Sequence, residues 1–359
     1  MKIISILICG LLMWPLSPKA SEFDHAALAQ QMLELHIQPG YEQLFSSAQK
    51  LETALDAFCG APSGDDLKQV KDAFTGAALA WSRIQHLRFG PIMKDAAHAR
   101  MLFWPDRKGL GRRQVARMLK SQDKSVLTLE TLQGKSVALQ GFGALEFILH
   151  SKDAGQILKA GPARTHRCGF SRAISANIKQ ISRQVLTQWS DAGRYKDIFM
   201  NPSADNPVYL EQKEVTLEIA KSFLSGLERV RDIRIAGPLG LQRKSRRRKR
   251  AAFERSGLST KAITANLEGL TWMYKEGGLM QRVGAFEIGM GKAILNELTH
   301  SLNHLRSISL AMKPAVDNAE TKDKLIAVGF PLKNAHDEAN RILASAAGLA
   351  LGFNALDGD

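Results

Sequence analysis

Residues 65–87 read DDLKQVKDAFTGAALAWSRIQHL. The apolar positions Leu67, Val70, Phe74, Ala77, Trp81, Ile84 and Leu87 recur at spacings of three and four, the repeat of one face of an α-helix. Comparable stripes run through residues 27–58, 115–119, 137–149, 174–189, 215–235, 263–274, 286–310 and 335–351. Turn formers punctuate them at Gly60-Ala61-Pro62-Ser63-Gly64, Gly161-Pro162, residues 201–207, Gly237-Pro238, Gly277-Gly278 and Pro331. Strict apolar/polar alternation is almost absent, residues 126–132 being the one short rival. The pattern predicts an all-α protein of two helical bundles of similar size, residues 21–200 and 201–359. The expected boundary is Asn201-Pro202-Ser203-Ala204-Asp205-Asn206-Pro207, where turn formers cluster and no apolar period continues. Similar halves raise the question of duplication, but no internal repeat stands out.

The chain is 359 residues long and 45% hydrophobic, enough to bury a substantial core, which excludes general disorder. Its first 20 residues read as a Sec-type signal peptide cleaved near Ala20. Lys2 supplies a basic start, the following apolar run ends at Pro15 and Pro18, and its length of about 14 residues falls short of the about 20 a spanning helix needs. Cys9 lacks the preceding small residue of a lipoprotein signal. The expected location is the periplasm.

Export changes how charge and cysteine are read. The formal net charge is +14; Lys2 and Lys19 lie in the leader, leaving +12. Seven of those charges fall in Arg243-Lys244-Ser245-Arg246-Arg247-Arg248-Lys249-Arg250, so the rest of the surface is ordinary. With no interleaved aromatics and an exported chain, nucleic acid is not an expected partner. The run from Arg243 to Arg250 reads as a solvated loop or helix end, or as a peripheral contact with anionic lipid, at about 1 kcal/mol per basic residue. Outside the leader only Cys59 and Cys168 remain. In an oxidising compartment they form one disulfide or stay two buried thiols.

Two charged residues interrupt the apolar stripes. Glu146 shares a helical face with Leu139, Phe142, Gly143 and Leu149, and a carboxylate there must be paired, protonated or ligating. Arg88 continues the phase of Trp81 and Ile84 before Gly90-Pro91 stops the helix. A buried guanidinium needs an acceptor, and Glu146 is the obvious one, as a plain interhelical ion pair or as part of a site. Gly141, Gly143 and Ala144 remove side-chain volume beside the acid, which either lets helices approach or leaves room for a ligand.

The segment Gly141-Phe142-Gly143-Ala144-Leu145-Glu146 resembles the Gly-x-His-x-x-Glu signature of the imelysin-like proteins. The resemblance extends through His36-Ile37-Gln38-Pro39-Gly40-Tyr41, Phe58-Cys59, Arg88-Phe89-Gly90-Pro91, Phe103-Trp104-Pro105-Asp106-Arg107, Arg167-Cys168, Gly237-Pro238-Leu239-Gly240 and the ending Gly352-Phe353-Asn354-Ala355-Leu356-Asp357-Gly358-Asp359. It implies an exported, all-helical protein of two related bundles, linked to bacterial iron uptake, with a site near the signature helix. Some members are classed as metallopeptidases because His and Glu suit metal ligation. Here Gly143 replaces the signature histidine, so only Gly141 and Glu146 of the motif carry over.

A substitute ligand could come from His150, four residues beyond Glu146 on the same face, or from the stripe Glu297, His300 and His304. The plainer reading is a helix-end histidine for His150 and a polar, solvent-facing stripe for the other three. The carboxylates of Asp357-Gly358-Asp359 could reach a cation or fray. No serine-hydrolase elbow, phosphate-binding loop or His-Glu-x-x-His helix is present.

The expected function is non-catalytic: binding iron, another divalent metal or an iron- or haem-containing ligand at the cell envelope, alongside other iron-uptake components. Glu146, Arg88, Trp104, Asp106, Gly141 and Gly143 would form the ligand site, with Glu146 as acceptor or ligand, Arg88 orienting it or gripping an anionic group, and Trp104 as an apolar wall. The alternatives are a metallopeptidase with altered ligands and a ligand-free envelope scaffold.

Overall fold

The computed structural model describes residues 23–106, 108–242 and 249–349. The expected leader (residues 1–20), residues 243–248 of the basic run and the terminal Asp357-Gly358-Asp359 lie outside the described residues.

The stretch quoted first forms a helix, Gly64–Ile84, begun by Ser63, whose Oγ accepts from the Asp66 amide at 3.1 Å. Its expected face is the buried one: Val70, Phe74, Ala77, Trp81 and Ile84 have at most 1% of their surface exposed. In chain order the first-half helices are α1 (His25–Met32), α2 (Gln38–Gly60), α3 (Gly64–Ile84), α4 (Ala97–Met101), α5 (Leu110–Ser121), α6 (Leu129–Gln133), α7 (Phe142–His150), α8 (Pro162–Trp189) and α9 (Arg194–Met200). The second half contributes α10 (Gln212–Glu228), α11 (Ala236–Leu239), α12 (Ser259–Lys275), α13 (Leu279–Phe286), α14 (Met290–Arg306), α15 (Met312–Asp317), α16 (Ala319–Ala327) and α17 (Gly329–Ala346). No β-strand occurs among the described residues. Residues 126–132, the short rival, hold part of a 3₁₀ turn and most of α6.

Several expected stripes are divided or displaced. The stripe at 27–58 is α1 and α2 joined through a π-helical turn, Leu33–Ile37, and that at 215–235 is α10 running into a second one, Arg229–Ile235. Residues 286–310 are not one helix: Phe286 ends α13, and Gly289, at a φ of 87°, precedes α14. Pro331 does not punctuate α17 but sits in its first turn, where the missing N–H costs no helical hydrogen bond. Leu139 lies in a 3₁₀ turn before α7 and so does not share a helix with Glu146.

In the first half α2 lies along both α3 and α8; in the second, α14 packs on α12 and α17, and α10 on α17. The groups are joined where α12 crosses α3 and where α1 lies on α10. The crossing is close: a Cβ on Gly269 would stand 1.8 Å from the Arg83 carbonyl oxygen. Polar contacts cross there too, Asn266 Nδ2 donating to the Ser82 carbonyl and Ser222 Oγ to the His86 carbonyl, each at 2.8 Å. One apolar core runs through both groups. Cys59 near the end of α2 and Cys168 in α8 form a disulfide, with Cα atoms 5.7 Å apart. Among the described residues no helix is long and apolar enough to cross a membrane.

Candidate functional site

Helix α7 opens after Gly141, and the two glycines of the degraded motif do different work. A Cβ on Gly141 would lie 2.1 Å from the Arg100 carbonyl oxygen and 2.3 Å from that of Met101, so this glycine lets α4 and α7 meet. A Cβ on Gly143 would meet only Leu102 Cδ1, at 3.9 Å. The first position serves close approach and the second leaves space. That space is a cavity of about 490 Å³ walled by Gly143, Ala144, Glu146 and Phe147 of α7, by residues 102–106, and by Lys249 to Phe253 and Arg255 of the loop before α12.

Glu146 is buried, with 4% of its surface exposed. The expected partner, Arg88, does not meet it. Glu146 Oε1 accepts instead from the Ser256 amide at 2.9 Å and from Ser256 Oγ at 2.8 Å. Arg88 lies past the end of α3 and is exposed, so the helical phase of Trp81 and Ile84 does not carry to it, and the actual donor lies 110 residues away in a loop with no periodic signal. Burial raises the Glu146 pKa, opposed by the two Ser256 hydrogen bonds and the Arg255 charge. The Arg255 guanidinium stands 4.9 Å over the Phe147 ring.

Trp104 lines this cavity, its Nε1 donating to the Arg250 carbonyl at 3.3 Å. Asp106 also lines the cavity, but its carboxylate accepts from the amides of Leu110 (2.6 Å), Gly111 (3.0 Å) and Arg112 (3.4 Å), capping α5. Arg88 borders a different, smaller chamber, where its Nη1 lies 3.3 Å from His98 Nδ1. His150 is not among the cavity-lining residues; its ring packs 5.5 Å from that of Phe74, and burial, then the Lys71 charge, lower its pKa to about 4. His300 and His304 contact each other at 3.0 Å on an exposed face, and Glu297 meets Asn334 at 3.5 Å.

The donor set does not fit a resident metal. Glu146 has one oxygen held by two donors, its motif partner is a glycine, and no group of three or more His, Cys, Asp or Glu side chains converges among the described residues. What the cavity offers is positive charge. Lys108, Arg112, Lys249, Arg250 and Arg255 line it, against the carboxylates of Asp106 and Glu146, both engaged by donors from the protein itself. Sequence reasoning missed Ser256, Arg255 and Arg112, and read Lys249 and Arg250 as the end of a surface run; the run's last residues wall the cavity.

The imelysin family (Peptidase_M75) matches residues 37–329. The chain is 22% identical over 221 residues to iron-regulated protein A of Synechococcus elongatus, a match spanning 60% of this chain and 56% of that relative. An imelysin-like protein from Psychrobacter arcticum has a similar structure, with a TM-score of 0.75 at 19% identity over 92% of this chain and 97% of that one. A Parabacteroides distasonis structure gives 0.73 at 11% identity over 89% and 94%. With its signature helix, its two packed bundles and a family match over most of its length, the chain belongs to the imelysin family.

Proposed function

We propose that this protein is a non-catalytic binding protein of the periplasm that takes iron as an anionic complex in the cavity beside Gly143. The observation that carries this reading is the lining: five basic side chains around about 490 Å³, with both carboxylates already engaged. Such a site favours a guest that brings its own negative charge, since guanidinium and ammonium groups pair with carboxylate or phosphate oxygens. The iron half of the reading is supported by the name of the Synechococcus relative, iron-regulated protein A. Trp104 would supply an apolar wall, while Glu146, held by Ser256, would shape the floor without ligating iron. The expected leader would deliver the chain to the envelope.

The test is titration of the purified protein with ferric citrate, with citrate alone and uncomplexed iron as separate arms. Ferric citrate is expected to bind one-to-one, and Lys108→Gln combined with Arg112→Gln to weaken it by about tenfold, the scale of a lost charged hydrogen bond. Stoichiometric binding of bare metal that Glu146→Ala abolishes would overturn the reading. So would a peptidase activity stopped by chelation and by Glu146→Gln.

A further inference from the structure

Helix α14 carries two histidines one turn apart, His300 and His304. They lie on its solvent-facing side, His300 exposed and His304 half-buried, and neither walls the cavity beside Gly143 or the smaller chamber that Arg88 borders. Positions four apart on an α-helix are neighbours on its surface, so the backbone alone brings the two rings together.

The spacing does not dictate where the rings point, and here they converge. His304 Nε2 stands 3.0 Å from His300 Nε2, with ring centroids 4.5 Å apart and planes inclined at 64°. The pair His36 and His86 has a similar separation, 2.9 Å between its Nε2 atoms, but both of its rings are buried, at 3% and 5% exposure. That contact is a hydrogen bond sealed from solvent. On α14 the same contact faces water, where a hydrogen bond between two neutral imidazoles gains little over one to solvent. What the exposed pair supplies instead is two nitrogen donors held side by side on a rigid element and open to an incoming ion.

Their separation selects the kind of ion. Two imidazole nitrogens bonded to one metal at about 2.0–2.1 Å stand about 2.9 Å apart when their bonds meet at about 90°, and about 3.3 Å apart at the tetrahedral angle. The observed 3.0 Å lies at the first value. Rotation of each ring about its own axis then turns both lone pairs onto one ion without changing the distance between the nitrogens much. A right-angled nitrogen pair suits the tetragonal preference of Cu(II), and the affinity of nitrogen sites peaks at Cu(II), above Ni(II) and Zn(II). Hard Mg²⁺ and Ca²⁺ require oxygen ligands instead. Glu297, three residues before His300 on the same face, adds a carboxylate beside the pair; its Oε1 makes a 3.5 Å contact with Asn334 Nδ2.

We propose that His300 and His304 form a surface chelate for a divalent late transition metal, Cu(II) ahead of Ni(II) and Zn(II), with water completing the coordination. The chelate shares no residue with the cavity beside Gly143, so it does not depend on what that cavity binds.

The test is titration of the full-length exported protein, free of any affinity tag, with Cu(II) against a competing chelator, the bound ion being read by electron paramagnetic resonance. The parent is expected to hold one more Cu(II) per chain than His300→Gln or His304→Gln, with a signal of two imidazole nitrogens that both variants lose. Each variant should weaken this site by tenfold or more, since even removal of a group that only orients a ligand costs that much. Their circular dichroism should match the parent's, because the side chains lie on an outer face. Glu146→Ala should keep the copper site, and His300→Gln should bind ferric citrate like the parent, which separates failure of this proposal from failure of the cavity reading. Equal Cu(II) binding by the parent and both histidine variants, a site that takes Zn(II) more tightly than Cu(II), or loss of the copper signal with Glu146→Ala would each overturn the proposal.

Discussion

The pair Gly141 and Gly143 shows how one residue type does two jobs. At position 141 an added methyl would meet two main-chain carbonyls inside 2.4 Å, and neither can move without shifting α4. Gly141→Ala is therefore expected to cost about 3 kcal/mol or more, as overpacking against backbone does. Gly143→Ala meets only a leucine methyl at contact distance and gains helix propensity, so it should be neutral or stabilising by up to about 1 kcal/mol. Urea denaturation of the two variants side by side checks the contrast; equal losses would mean that Gly143 is packed rather than open. Ser256→Ala removes the hydroxyl donor to Glu146 while keeping the amide, with an expected loss of about 1–3 kcal/mol and a further rise in the Glu146 pKa. Titration of the variant's carboxylates by NMR would read that rise. Both residues on the motif's backbone were visible in the sequence, but which glycine made contact and which made space was not. That depends on the loop and helix opposite, and an i, i+3 pattern carries no information about them.

At the scale of elements, amphipathic helices were legible because one face of each is buried, as α3 shows along its whole length. The two π-helical turns were not, since an inserted residue shifts the phase of an apolar stripe by less than the stripe's own width. Yet each holds a buried polar side chain, His36 in the first and Arg234 in the second. Leu33–Ile37 presents His36, whose Nε2 lies 2.9 Å from His86 Nε2, so one ring donates, the other accepts, and both are neutral. Burial lowers His36 to about 3, and burial followed by the His36 interaction lowers His86. In the unfolded chain each imidazole takes up a proton below about pH 6.5, whereas in the folded protein His36 does so only near 3. Stability from this pair is therefore fully present above pH 6.5 and is lost as pH falls, by about 2 kcal/mol at pH 5 for His36 alone, with His86 adding in the same direction. Glu146, with a raised pKa, opposes this weakly, its contribution declining as pH rises. Denaturant midpoints between pH 7 and 5 should fall, and His36→Gln should flatten the slope. A slope unchanged by that substitution would place the acid sensitivity elsewhere.

For the whole molecule, the boundary segment at residues 201–207 is a loop, as its turn formers led one to expect, but the core does not stop there. Each half also begins alike, with a helix, a π-helical turn and then a helix with proline in its first turns, Pro39 in one and Pro238 in the other. That resemblance lies in geometry, and no repeat of residues announced it. The consequence is functional: α7 and the wall from Leu102 to Asp106 come from one half, while Lys249 to Ser256 and the turn bearing Arg234 come from the other. Two covalent or steric constraints can then be separated by what they control. The Cys59–Cys168 bridge closes a span of 109 residues within the first half, and a loop of that length corresponds to about 4–5 kcal/mol on the chain-entropy view. Cys59→Ser combined with Cys168→Ser should lower stability by that order yet leave ferric citrate affinity near the parent value, because neither cysteine borders either cavity. Gly269→Ala acts at the crossing itself, where its methyl would displace α12 from the Arg83 carbonyl and, with it, Asn266 and Leu270 of the small chamber's wall. It should weaken ferric citrate binding while the helical content of each half survives by circular dichroism. If instead Gly269→Ala binds like the parent and the cysteine variant does not, the site belongs to the first half alone and the crossing of α3 and α12 serves only stability.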